Sequence, residues 1–227
     1  MPGCAGEMRS EFRRLEPDRP TACFAGIEKM STIDTESHET LIGELEAAVR
    51  SGSAERRVDK LRQVTDLFLA GSASFSEEQV KVFDDVLCRL MTRIETEALT
   101  ELGQCLAPVD NAPTATIRRL AWNEAIAVSG PVLAASKRLT TTDLTEIAQL
   151  RGQEHLMAIS QRESLETAVT DVLLERGDRR VIHTLANNPG ARFSETGYVV
   201  LVEKADGEYA YEEDRLIDAC ARARRAL

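Results

Sequence analysis

The chain has 227 residues, 43% of them hydrophobic but only 4% aromatic, so a sizeable core must be built from Leu, Val, Ile and Ala. Seven prolines and thirteen glycines are too few for a β-sandwich with a turn every ~10 residues. A net charge of −10 argues against general nucleic-acid binding, which needs a basic footprint.

Residues 1–29 contain Pro2, Pro17 and Pro20 and show no sustained apolar period. They are expected to be a disordered leader, or translation starts at Met30. From Ser37 the pattern is helical almost without pause. Leu41, Ile42, Leu45, Ala48 and Val49 share one face, closed by Ser51-Gly52. Val58, Leu61, Val64, Leu67 and Phe68 line the next helix, which Gly71 stops. Ser76 with Gln79 reads as a capping box, and Phe75 with Val80 as a hydrophobic staple. Val80, Phe83, Leu87, Leu90, Met91 and Ile94 continue at helical spacing.

Beyond residue 95 the helices shorten and a repeat appears. Leu106, Leu133, Ile159 and Leu185 each close a short helix, at spacings of 27, 26 and 26. After each comes a polar loop and a second short helix, carrying Ile117 and Leu120; Leu144, Ile147 and Leu150; Val169, Val172 and Leu173; or Val199 and Val202. Gly152 and Gly177 read as C-caps. Pro131 bends a helix running from about Asn123, or else Ser129-Gly130 caps a new one. A helix pair at fixed period reads as a solenoid, because neither helix can bury its apolar face without the next unit. The fold expected is all-α, a short HEAT-like α-solenoid of stacked helix pairs with a period near 26 residues. Longer helices at 37–94 would precede short repeats at 95–206 and a C-terminal helix within 207–227, all in one domain spanning 30–227.

Catalytic motifs are absent: there is no GxSxG, no Walker loop and no GxGxxG. His38, His155 and His183 are far apart, and the last two occupy different helix faces, so no metal site is expected. The acid pairs Glu77-Glu78 and Asp84-Asp85 suit helix dipoles, and Trp122 reads as core. The five cysteines form no CxxC pair and read as reduced thiols of a cytoplasmic protein, Cys88 and Cys105 on apolar helical stretches. No apolar run approaches the ~18 residues of a membrane span, and no N-terminal signal segment appears.

Charge is distributed unevenly: residues 30–110 are net −8, whereas 111–192 are net +1. In the loops after the anchors, Lys137 and Arg138 follow Leu133, Arg162 follows Ile159 and Arg192 follows Leu185. These four bases form a candidate binding edge, broken at the first unit by Asp110.

The segments FSEEQVKVFDDVLCRL, LAPVDNAP, IAVSGPVLAAS, GQEHLMAIS and AVTDVLLERGDRRVIHTLANNPGARFSETG occur in that order. Over roughly residues 40–206 they resemble an uncharacterised, mostly alphaproteobacterial family, a domain of unknown function. The resemblance implies a HEAT-like helical repeat with no assigned activity, in a family whose members usually carry further repeats. Within it, Asn188 suits a left-handed cap and Pro189-Gly190 a turn.

The function expected is a non-catalytic scaffold or adaptor for a protein or peptide partner, without cofactor. The alternatives are nucleic-acid backbone binding through the basic edge, and an enzyme with an unrecognised site. An exposed terminal repeat would also allow homodimerisation.

Overall fold

The structure, a computed structural model, describes residues 54–92 and 94–206. The leader, the helix read at 37–50, the C-terminal helix read within 207–227, and Cys4, Cys23, His38 and Cys220 lie outside the described residues. The described chain is all-helical apart from one isolated parallel bridge between Leu165 and Ala191. Its helices are α1 (Ala54–Gly71), α2 (Glu77–Leu90), α3 (Thr96–Leu106), α4 (Thr114–Ala121), α5 (Ile126–Ala135), α6 (Thr141–Leu150), α7 (Gln153–Ser160), α8 (Thr167–Arg176), α9 (Arg179–Ala186) and α10 (Glu195–Asp206). A 3-10 turn at Ser72–Ser74 follows α1.

Most helices pack on the second one along, and several also on their neighbour. The odd helices form one row, α1 on α3, α3 on α5, α5 on α7 and α7 on α9. In the even row α2 packs on α4, α6 on α8 and α8 on α10. An ion pair from Arg118 to Asp143 joins α4 to α6. The reason is helix length. Helices of 8 to 12 residues, α3 to α10, expose apolar surface on two sides, and only a following helix in the same row covers the second side. The core is one continuous cluster along the seam between the rows. The four anchors Leu106, Leu133, Ile159 and Leu185 are all fully buried in it, near the ends of α3, α5, α7 and α9.

The capping box at Ser76 is present. Its hydroxyl accepts from the Gln79 N–H, and the Gln79 side chain accepts from the Ser76 N–H. Phe75 contributes more than a staple: its ring stacks on Phe83 at 5.1 Å, and both rings lie against Phe68. A second capping box, at Thr140 and Asp143, opens α6.

Two local readings are corrected, at Gly152 and at Val199 and Val202, and two are borne out with added detail, at Gly177 and Pro131. Gly152 is the N-cap of α7, while Arg151 ends α6. Gly177 does end α8, but with extended backbone (φ −68°, ψ 141°) and not in the left-handed region. A Cβ there would lie 2.7 Å from Val181 Cγ1 and closer still to the Leu173 carbonyl, so tight packing explains the glycine. At Pro131 the alternative of a fresh capped start is not realised, because α5 runs from Ile126 through the proline. Finally, Val199 and Val202 do not face the core: they are 56% and 39% exposed, and Leu201 is buried instead. Counting from the helix starts, they stand where Asp171 and Leu174 stand on α8. Those two residues are covered by the beginning of α10, through Ser194 and Gly197.

Asp84 shows how one even helix sets the start of the next. From α2 its carboxylate accepts the Ala115 and Thr116 N–H groups, at 2.8 and 2.7 Å, and the Thr116 hydroxyl. These amides open α4, whose own N-cap Pro113 supplies no side-chain acceptor. Asp84→Ala is expected to cost about 2 kcal/mol. The check is a urea titration, in which the midpoint falls while the slope stays constant.

Candidate binding surface

Two ladders of polar contacts run along the edges of the rows, and they account for two of the four bases singled out in the sequence, Arg138 and Arg162. On the edge formed by loops after odd helices, the Asn111 amide donates to the Ser72 carbonyl. Arg138 donates to Thr114 Oγ1 at 2.8 Å. Arg162 donates to the Leu133 and Ser136 carbonyls at 2.6 and 2.7 Å. Asn188 Nδ2 donates to the Ser160 and Arg162 carbonyls, while its Oδ1 accepts from Gly190 N–H. On the opposite edge Arg119 reaches the Cys88 carbonyl, Arg151 that of Trp122 and Arg176 that of Ala148. The last carbonyls of a helix lack intrahelical donors and carry the negative end of its dipole. Here a cation or amide from the following unit supplies the missing donor.

The four bases of the candidate edge therefore have intramolecular partners. Arg162 is half-buried and clamps two carbonyls; burial lowers its pKa. Arg138 is held by Thr114. Lys137 pairs with Asp110 at 2.9 Å, both ends largely exposed, and Arg192 with Glu166 at 3.5 Å. The structure brings Arg138 and Arg162 to successive rungs of one edge, as the sequence phase requires, but points their charge inward along it. Asn188, the residue after the right-handed C-cap Asn187 (φ −89°) of α9, serves as a bridging side chain between units.

Asp143 is buried beneath Arg118. Burial by itself raises its pKa, but hydrogen bonds from Thr140 and the Arg118 charge outweigh that and hold it below the ordinary carboxylate range. A depressed folded-state pKa means stabilisation that is present above the unfolded value of about 4 and lost as pH falls through the folded value. Asp143→Asn is expected to lower stability at neutral pH and to flatten the loss on acidification below about pH 4. Urea midpoints against pH read this out; an unchanged acid limb in the variant would show that other carboxylates carry it.

The two described histidines differ in environment. His155 is buried, its Nε2 3.1 Å from the Asn123 carbonyl oxygen, whereas His183 is exposed on α9. Trp122 is half-buried at the end of α4, with the Arg151 guanidinium 5.7 Å from its ring. Burial raises the Cys88 thiol pKa, which keeps it protonated.

A groove of about 440 Å³ opens between the C-terminal ends of α7 and α9. Asn188 and Ser160 lie in it, tied together by a hydrogen bond. Gln161, His183, Thr184 and Asn187 line it with exposed or half-exposed polar groups. Motif reasoning passed over this group because its Ser160, His183 and Thr184 stand in no catalytic motif. A signal did exist: Gln161 and Asn187 stand 26 residues apart, the spacing of the anchors.

The fold and its surface define an all-helical protein without a recognisable catalytic constellation among the described residues. An uncharacterised protein family conserved in bacteria (DUF2336) matches residues 128–214, which include most of α5, α6 to α10 and the groove. No curated protein and no solved structure gives a match. No helix among the described residues is long and apolar enough to cross a membrane.

Proposed function

We propose that the chain is a non-catalytic scaffold, a short HEAT-like α-solenoid that binds a protein or peptide partner on its surface in the cytoplasm. The observation that carries this reading is the second-neighbour packing of both rows. Stacks of this kind grow lengthwise and present a long surface built from successive units. The helix starts support the period: Ile126, Gln153 and Arg179 are 27 and 26 residues apart in one row, and Thr114, Thr141 and Thr167 are 27 and 26 apart in the other. The unit is looser before residue 114, where α1 and α2 are longer. Partners of protein rather than nucleic acid are favoured because the bases of the loop edge already bind this chain's own groups, and the overall charge is negative.

The test is affinity capture of the tagged full chain after in-cell crosslinking, quantified against an untagged strain. A reproducible crosslinked partner whose contacts map to one face of the rows is expected. Repeated captures with no enriched protein would sink the scaffold reading.

A further inference from the structure

We infer that the groove between α7 and α9 holds an extended peptide segment by its main chain; this rests on the scaffold reading and assigns it a site. The lining contains no Asp, Glu, Lys or Arg, so a strongly charged ligand finds no counter-charge there. Most of its side chains carry a hydrogen-bonding group. What it offers is hydrogen bonding. The Gln161 amide is exposed and makes no hydrogen bond to the described residues. Asn187 Nδ2 donates to the His183 carbonyl, which leaves its Oδ1 available. An amide side chain both donates and accepts, which matches the paired C=O and N–H of a peptide unit.

The geometry repeats from one unit to the next. Gln161 ends α7 at φ −84°, ψ −2°, and Asn187 ends α9 at φ −89°, ψ −3°. Two amides thus leave adjacent helices of the same row from the same backbone conformation. Packed helices lie about 8–10 Å apart, and an extended chain advances about 3.3 Å per residue. A peptide crossing both ends meets the second amide about three residues after the first. The groove is shallow and largely open to solvent, whereas a small-molecule site encloses most of its ligand; a chain lying across it fits, and a compact metabolite does not. Both helices present their C-terminal ends here, where the dipole favours neutral or basic peptides over acidic ones. The floor is pre-formed, because Asn188 is fixed by three hydrogen bonds, so little ordering cost falls on the protein.

The experiment selects a display library of random linear peptides on the full chain, then maps the enriched peptides by backbone-amide chemical shifts. Peptides that perturb Gln161, His183 and Asn187, bind about tenfold more weakly to Gln161→Ala and Asn187→Ala, and lose binding when their own main chain is N-methylated bear the inference out. Lys204→Ala, on α10, serves as the unaffected control. Thermal melts check the fold, and Gln161→Ala carries the test if Asn187→Ala melts early through loss of its bond to His183. Peptides that bind elsewhere and ignore both variants overturn the groove but leave the scaffold reading standing. No enriched peptide at all overturns the groove as a peptide site, while the scaffold reading is decided separately by the crosslinking capture.

Discussion

Arg162→Ala is expected to destabilise the protein by about 3 kcal/mol, with a melting temperature lower by roughly 6–12 °C. The guanidinium forks between the Leu133 and Ser136 carbonyls, the last turn and C-cap of α5. Both bonds are charge-assisted and sit in a half-buried seam, where such bonds contribute about 1.5–3 kcal/mol each. Two effects pull the total down. The Arg162 Nε is buried without an acceptor among the described residues, and water can reach part of the vacated site. Arg162→Lys is expected to recover less than half of the loss, because one ammonium cannot reproduce a planar fork. Chemical denaturation of the three proteins decides it. A lysine variant as stable as the parent would mean that charge alone matters and the forked geometry does not. The same substitution bears on function, since loss of binding in an Arg162 variant would first have to be separated from loss of the unit interface.

Gly190→Ala is expected to be at least as damaging, about 3 kcal/mol or more. A Cβ at this position would lie 2.8 Å from the Glu163 carbonyl carbon and closer still to its oxygen. The neighbour is backbone, so no rotamer change relieves the clash. The loop cannot simply retreat either. Leu165 N–H donates to the Gly190 carbonyl and Arg192 N–H to the Leu165 carbonyl, at 3.0 Å each. Asn188 pins the same loop to Ser160 and Arg162. The alanine variant is expected to lose the Leu165–Ala191 bridge, seen as faster hydrogen exchange at Leu165 and Arg192. Gly152→Ala is the control: a Cβ there meets nothing within 4 Å, and only the poorer N-cap should cost stability, about 1 kcal/mol or less. Equal stability of both variants would refute the close-approach account.

Apolar spacing made the helices legible because burial follows periodicity wherever a helix has neighbours on every inner side. Leu61, Val64 and Phe68 in α1, and Ile117 and Leu120 in α4, fall in the core as their spacing requires. The same logic failed at Val199 and Val202, since periodicity reports that a face is apolar but not whether anything lies on it. Glycines misled at Gly152 because a glycine between two helices reads equally well as an end or a start. The candidate edge was half legible: phase placed Arg138 and Arg162 on successive rungs, yet sequence carries no information about which way a long side chain turns.

Sequence by itself determined that the described residues are helical, where the anchors lie and that a capping box starts at Ser76, because these depend on near neighbours along the chain. Only the tertiary structure decided that Arg162, Arg151, Arg176 and Asn188 close the helix ends of the preceding unit. It alone brought Gln161 and Asn187 to one groove. Those contacts join residues some 26–29 positions apart, and their partners are backbone carbonyls. Every residue has a carbonyl, so the sequence of the partner leaves no mark by which such a bond could be read.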